Sequence, residues 1–231
     1  MNVDQILEPA WTEYLSWLFF AVPGMLMRGN VDSIAYALGN LPDSSPILEI
    51  GSFCGPSTCV IDYFEQKLGI QNRLYTVDSW TFEGAEPGAS LGDSPRIRHE
   101  EYRNFVKESF DRNIRTFCHQ LPFTVEMDSG EFFKKWANDE STTDVFGRMK
   151  ALGGPISFAY IDGNHSYGFA RRDFENVDRF LVRGGFILFD DSADGSEWEV
   201  CKVVQEVLRS GAYGVVAKNP NYLLRRITSP S

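Results

Sequence analysis

Five short, almost unbroken apolar runs, each leading into a stretch with helical spacing, constrain this chain more than any other feature. They are Pro46–Ile50, Arg73–Val77, Phe123–Met127, Pro155–Ile161 and Gly185–Phe189. A strand that is apolar on both faces must be covered on both faces, which is the property of a parallel sheet sandwiched between helices. The helical stretches fall between and after the runs: Ser57–Leu68 ending at Gly69, Pro95–Cys118, Glu131–Trp136, Tyr167–Leu181 and Glu197–Leu208. In the second of these, Tyr102, Phe105, Val106, Phe110, Ile114 and Phe117 form one stripe. The end of the chain breaks the alternation, because Tyr213–Ala217 and Tyr222–Ile227 are joined only by residues 218–221. So short a connection permits an antiparallel hairpin and no parallel crossover. The expected fold class is therefore α/β: a Rossmann-like, doubly wound, mostly parallel seven-stranded sheet with an antiparallel C-terminal hairpin.

Ahead of the sheet, Ile6, Leu7, Ala10, Tyr14 and Leu18, then Ile34, Ala35 and Leu38, predict two helices within Val3–Leu41, separated at Pro23-Gly24. A chain of 231 residues, 43% of them hydrophobic, suits one core. Residues 1–231 are thus expected to form a single domain, with 1–41 a helical extension and 42–231 the ligand-binding core. Thr81–Ser94 and Ala137–Gly154 lack a period and read as loop insertions.

The formal charge of −10 opposes polyphosphate backbones and anionic membranes, so nucleic acid and membrane are set aside as partners in favour of a small molecule. Four cysteines with no CxxC pair indicate neither zinc nor a disulfide framework, and fit reduced thiols in the cytoplasm. Asp4, Glu8 and Glu13 precede the first basic residue, Arg28, the reverse of a leader pattern, and the apolar run Trp17–Val22 is too short to span a bilayer.

Chemistry concentrates at the ends of the predicted strands. In Ile47–Thr58 an acid, Glu49, ends a strand, and Gly51 and Gly55 let backbone approach a ligand where a side chain would block it. Asp78 follows Gly51 by 27 positions, where an acid can accept hydrogen bonds from ribose hydroxyls. Asp162 is followed 28 residues later by Asp190-Asp191, all three at ends that a parallel sheet brings to one face. Such like charges need protonation, hydrogen bonds or a cation. His165, three positions beyond Asp162, is a candidate general base, as is Asp162 itself. Plainer roles are also open: a strand-end Asp forms turns, and Asp128 or Ser129, or the Asp190–Ser192 segment, can cap the helix that follows.

The Ile47–Thr58 segment resembles motif I of class I S-adenosylmethionine (SAM)-dependent methyltransferases, in the E-x-G-x-x-x-G-x-S/T form of small-molecule O-methyltransferases. The Asp162 and Asp190-Asp191 layout resembles the magnesium site of the metal-dependent branch, the macrocin and catechol O-methyltransferases. Together the likeness spans roughly residues 46–227. It implies that Gly51, Ser52, Phe53, Gly55 and Ser57 line the methionine and ribose portion of SAM while Glu49 orients the loop or the ligand amine. It further implies that Asp78 with Ser79 binds ribose, that Asp128 and Ser129 hold the adenine, and that Asp162, Asp190 and Asp191 hold Mg²⁺. The ion would lower the pKa of an acceptor hydroxyl and align it with the sulfonium methyl, with Asp162 or His165 taking the proton. The N-terminal helices and Thr81–Ser94 are expected to close over the acceptor, a natural-product sugar or phenol, and those helices could equally pack against a second subunit in a homodimer.

Two other classes compete. An NAD-dependent oxidoreductase would require a closer G-x-G-x-x-G match, and Phe53 stands where its middle glycine belongs. A non-catalytic SAM-binding or scaffold protein stays open on the sequence, although the set Asp162, Asp190 and Asp191 would be an odd relic in one.

Overall fold

The first helix starts at Thr12, whose side chain accepts the Leu15 amide at 3.2 Å and caps α1 (Glu13–Ala21) in this computed structural model, which describes residues 7–82, 86 and 88–229. Helix was expected from Val3. Residues 3–6 lie outside the described residues, and residues 7–12 are not helical, because Pro9 offers no amide and the Ala10 amide bonds to Asp32 Oδ1 at 2.7 Å. The second helix, α2 (Arg28–Gly39), follows the Pro23-Gly24 break.

The alternation then proceeds as β1 (Ile47–Ile50), α3 (Pro56–Leu68), β2 (Leu74–Asp78), α4 (His99–Phe117), β3 (Phe123–Glu126) and α5 (Ser129–Ala137). Next come β4 (Ser141–Thr143) and β5 (Met149–Ala151), then β6 (Ile156–Ile161), α6 (Tyr167–Asp178), β7 (Leu181–Phe189), α7 (Val200–Arg209), β8 (Tyr213–Lys218) and β9 (Tyr222–Arg226). The main sheet has seven strands in the order β3-β2-β1-β6-β7-β9-β8, parallel except where β9 meets β7 and β8.

Side chains of successive strand residues enter opposite layers. Ile47, Phe158, Tyr160 and Leu188 pack with α1 to α4, whereas Leu48, Ile50, Ala159, Ile161 and Ile187 pack with α5, α6 and α7. That two-sided burial explains the unbroken apolar runs.

Two expectations need correction. Ala137–Gly154 is not all loop: β4 and β5 form a two-stranded antiparallel hairpin of mostly exposed residues. Its turn is tied by Asp144, which accepts the Phe146 and Arg148 amides and pairs with the Arg148 guanidinium. The fifth run begins at Leu181 rather than Gly185, and α6 ends correspondingly earlier, since β7 continues through Gly184 (φ +84°), with a register shift against β6.

The strand order reverses between β1 and β6, and in open α/β sheets the crevice beyond such a point receives ligands. Register defines the crevice residue by residue. Ile50 pairs with Ile161, and Ile161 with Phe189, so Gly51, Asp162 and Asp190 leave the sheet side by side. The Asp162 amide bonds to the Ile50 carbonyl at 2.8 Å and the Asp190 amide to the Ile161 carbonyl at 2.9 Å. Among the described residues no helix is long and apolar enough to cross a membrane.

Candidate active site

Glu49 leaves β1 beneath the glycine turn with no exposed surface. Its Oε2 accepts hydrogen bonds from the hydroxyls of Thr58 and Ser52, whereas Oε1 is buried with no partner among the described residues. Burial pushes its pKa up to about 7 against the opposing hydroxyls of Ser57, Thr58 and Ser52. An unpartnered buried carboxylate oxygen is costly, and an ammonium group would satisfy it.

The turn above needs its glycines. Gly51 has φ +85°, and a Cβ there would stand 1.9 Å from the Asp162 carbonyl oxygen. Gly55 has φ +92°, and a Cβ there would meet the Ile114 side chain at 2.9 Å. Between them Phe53 holds a left-handed backbone (φ +48°), unusual for a bulky residue and costly unless its surroundings enforce it. Asp78 enforces it: Oδ2 accepts the Ser52 and Phe53 amides at 2.8 and 2.9 Å, and Oδ1 accepts the Trp80 amide at 2.6 Å. Of the roughly four lone-pair positions of a carboxylate, three are thus used, leaving one for a sugar hydroxyl. Asp78 is first a clamp on the turn. Ser79 turns its hydroxyl to the Thr81 amide, 3.3 Å away.

At the next strand end Asp128 caps α5, accepting the Gly130 and Glu131 amides at 2.8 and 3.3 Å, and pairs with Arg172 at 2.9 Å. Ser129 donates to Asp173. The capping role anticipated for this pair is thereby filled, on the same sheet edge as Asp78.

The aspartates do converge. Burial, and then the adjacent Asp190 carboxyl, hold the Asp162 pKa well above the usual range; Tyr160 opposes by donating to Asp162 Oδ2 at 3.2 Å. Burial and Asp190 likewise raise Asp191, against His165. Asp191 has a left-handed backbone, φ +49°. His165 Nε2 lies 3.3 Å from Asp191 Oδ2 and 3.6 Å from Asp162 Oδ1 yet hydrogen-bonds to neither, while Trp198 packs against its ring at 4.9 Å. Among the described residues no three His, Cys, Asp or Glu side chains are arranged to hold a metal ion. The donor chemistry still suits a hard cation bound by two carboxylates and completed by acceptor oxygens and water, the habit of Mg²⁺.

Two members of this cluster carry no sequence signal. Asn30 of α2 donates to Asp190 Oδ1 at 2.6 Å, and Asn221, from the β8–β9 turn, donates to the same oxygen. Neither asparagine stands in one of the strand-end motifs, and only the fold brings positions 30 and 221 to 190.

A family model described as a methyltransferase domain matches residues 48–192, from β1 through the turn after β7. The chain belongs to the methyltransferase-domain family. Solved structures share the fold. CalS11, a TDP-rhamnose 3'-O-methyltransferase of calicheamicin biosynthesis, superposes with a TM-score of 0.54 at 18% identity, covering 85% of this chain and 76% of its own. The O-methyltransferase NovP gives 0.58 at 14% identity, with 89% and 82% covered. An O-methyltransferase from Bacillus cereus in complex with S-adenosylhomocysteine (SAH) gives 0.54 at 12% identity, with 94% and 92% covered. An uncharacterized protein of Acanthamoeba polyphaga mimivirus, R132, is 24% identical over 152 residues, 66% of this chain. The chain spans about half the length of that curated relative, 53%.

Proposed function

We propose that this methyltransferase transfers the methyl group of SAM to a hydroxyl oxygen of a small acceptor, a sugar or phenol of the natural-product type, with a divalent cation such as Mg²⁺ at the aspartate cluster. One observation carries the reading: strand register sets the glycine turn, with the unpartnered Glu49 Oε1 beneath it, directly beside Asp162 and Asp190. A cationic amino-acid donor and a hydroxylated acceptor would therefore meet across one strand spacing.

Glu49 Oε1 receives the donor's ammonium, the turn between Gly51 and Gly55 admits its backbone-sized portion, and Asp78 offers its remaining lone pair to the ribose. Asp162 and Asp190 would hold the cation, with Asp191 next in the chain, and the ion when bound would supply Lewis-acid activation of the acceptor oxygen. His165 Nε2, buried and without a hydrogen-bond partner among the described residues, would take the hydroxyl proton, with Asp162 the alternative base. The oxygen lone pair then forms the C–O bond as the C–S bond breaks, the sulfur keeps that electron pair, and SAH leaves uncharged at sulfur. Alignment of the acceptor oxygen with the sulfonium methyl is the main contribution asked of the surrounding side chains.

Thermal shift separates the competing classes. SAM and SAH are expected to stabilise the protein, by about 2.7 kcal/mol at a hundredfold excess over Kd, and NAD to leave it unchanged. Stabilisation by NAD alone would discard the proposal. Asp162→Ala should retain the SAH shift and lose transfer of labelled methyl to a panel of hydroxylated acceptors; full transfer by that variant would remove Asp162 from the mechanism.

A further inference from the structure

Asp190 is less free than a ligand-binding aspartate at a sheet edge would be. Asn30 Nδ2 and Asn221 Nδ2 both point at its Oδ1, and Asn30 Nδ2 also lies 3.3 Å from the Tyr160 hydroxyl that donates to Asp162. Asn30, Asn221 and Tyr160 are all buried.

The polarity of this network follows from one backbone group. The Ser192 amide can only donate, and it reaches Asn221 Oδ1 at 2.9 Å. That fixes the Asn221 side chain, whose Nδ2 must then face inward, donating to Asp190 Oδ1 and to Asn30 Oδ1, the latter at 3.1 Å. With its own oxygen so engaged, Asn30 must present Nδ2 to Asp190 and Tyr160. Ser192 is itself held twice, its hydroxyl donating to the Phe189 carbonyl and accepting the Tyr222 amide, each at 2.8 Å. The chain of donors therefore runs from a rigid strand–turn junction to the aspartate pair without an ambiguous member.

Close backbone approach brings the two asparagines together. A Cβ on Gly29 would lie 1.6 Å from the Asn219 carbonyl oxygen, so α2 meets the β8–β9 turn at a distance only glycine permits. Asn30 and Asn221 follow these two contact residues in the chain.

We propose that Asn30 and Asn221 are positioning residues for the methyl transfer: by saturating Asp190 Oδ1 they orient the carboxyl beside Asp162, so that it meets cation or acceptor through its other oxygen. This rests on the methyltransferase reading of the site and adds to it an N-terminal helix and a C-terminal turn, both outside residues 48–192 that define the family match. A purely packing role would require only that the buried groups be satisfied, and would leave ligand affinity at the aspartates unaffected once the protein had folded.

The test uses the full chain with Asn30→Ala and Asn221→Ala, and Asn30→Ser where an alanine variant does not fold. Mn²⁺ is the cation probe, followed by electron paramagnetic resonance, and SAH affinity is measured by calorimetry. Mn²⁺ affinity is expected to fall about 10–100-fold in each variant, the usual effect of removing a ligand's supporting partner, with SAH affinity unchanged. Crystal structures of the variants should show the Asp190 carboxyl rotated away from Asp162. An unmoved Asp190 overturns the inference, as does a parallel loss of SAH and Mn²⁺ affinity. If the wild-type protein takes up no Mn²⁺, the cation part of the proposed function falls, and the position of Asp190 alone decides the role of the asparagines.

Discussion

Glu49 shows how a single side chain can tie stability to ligand binding. Its carboxyl has a folded-state pKa of about 7 because burial disfavours the charged form. In the unfolded chain it titrates near 4.5, so the native state holds the proton more tightly. The stability this contributes is fully present below about pH 4.5 and is lost as pH rises through 7, a total of about 3 kcal/mol at most. Glu49→Gln is isosteric and cannot ionise. Urea denaturation from pH 5 to pH 8 should show the wild-type protein losing stability relative to this variant as pH rises; parallel profiles would disprove the assignment. The donor ammonium favours the ionised carboxylate, so SAM affinity should climb over the same interval in the wild type and stay flat in the variant, as titration calorimetry would register.

At the scale of elements, most of the sheet could be read in the chain because burial on both faces keeps the strands largely apolar, with Glu49, Thr76, Thr124 and Ser157 among the buried polar exceptions. The first four apolar runs, from Pro46–Ile50 to Pro155–Ile161, each match an observed strand to within one residue at either end. The elements that escaped detection obey other rules. The β4–β5 hairpin is held by Asp144 and its turn rather than by a buried face, so it left no apolar alternation. The Leu181 start of β7 was masked because the helical spacing from Tyr167 carries on to Leu181 and Gly184 breaks the apolar run, although the strand passes through it with an irregularity. In the site, the carboxylates and glycines were legible because their chemistry is rare, whereas Asn30 and Asn221, 191 positions apart, become partners only through packing. The contact behind that packing is testable within one helix. Gly29→Ala places a methyl against backbone at the β8–β9 turn and should destabilise the protein by about 1–3 kcal/mol. Gly39→Ala, where a Cβ meets only Leu68 at 4.0 Å, should stabilise it by about 0.4–1 kcal/mol. Equal and opposite effects on urea midpoint are not required, but the signs are; a stabilising Gly29→Ala would mean that α2 does not approach the turn as described.

For the molecule as a whole, the charge of −10 matters because donor and product differ in charge. SAM carries a sulfonium, an ammonium and a carboxylate, a net positive ion, while SAH has lost the sulfonium charge and is a neutral zwitterion. A protein with this net negative charge draws the cation inward and exerts no net pull on the product. The fold thus favours arrival of the donor without retaining what the reaction leaves behind. Salt should expose this, since the screening length shrinks from about 20 Å to about 6 Å between dilute buffer and 0.3 M salt. Trp80, buried and bonded through its indole N–H to the Phe53 carbonyl at 2.9 Å, reports on the glycine turn by fluorescence. Stopped-flow mixing should find the SAM association rate falling by about tenfold over that range, with SAH association nearly constant. If both ligands slow equally, the field of the whole protein does not guide the donor, and its acidity has to be explained by solubility alone.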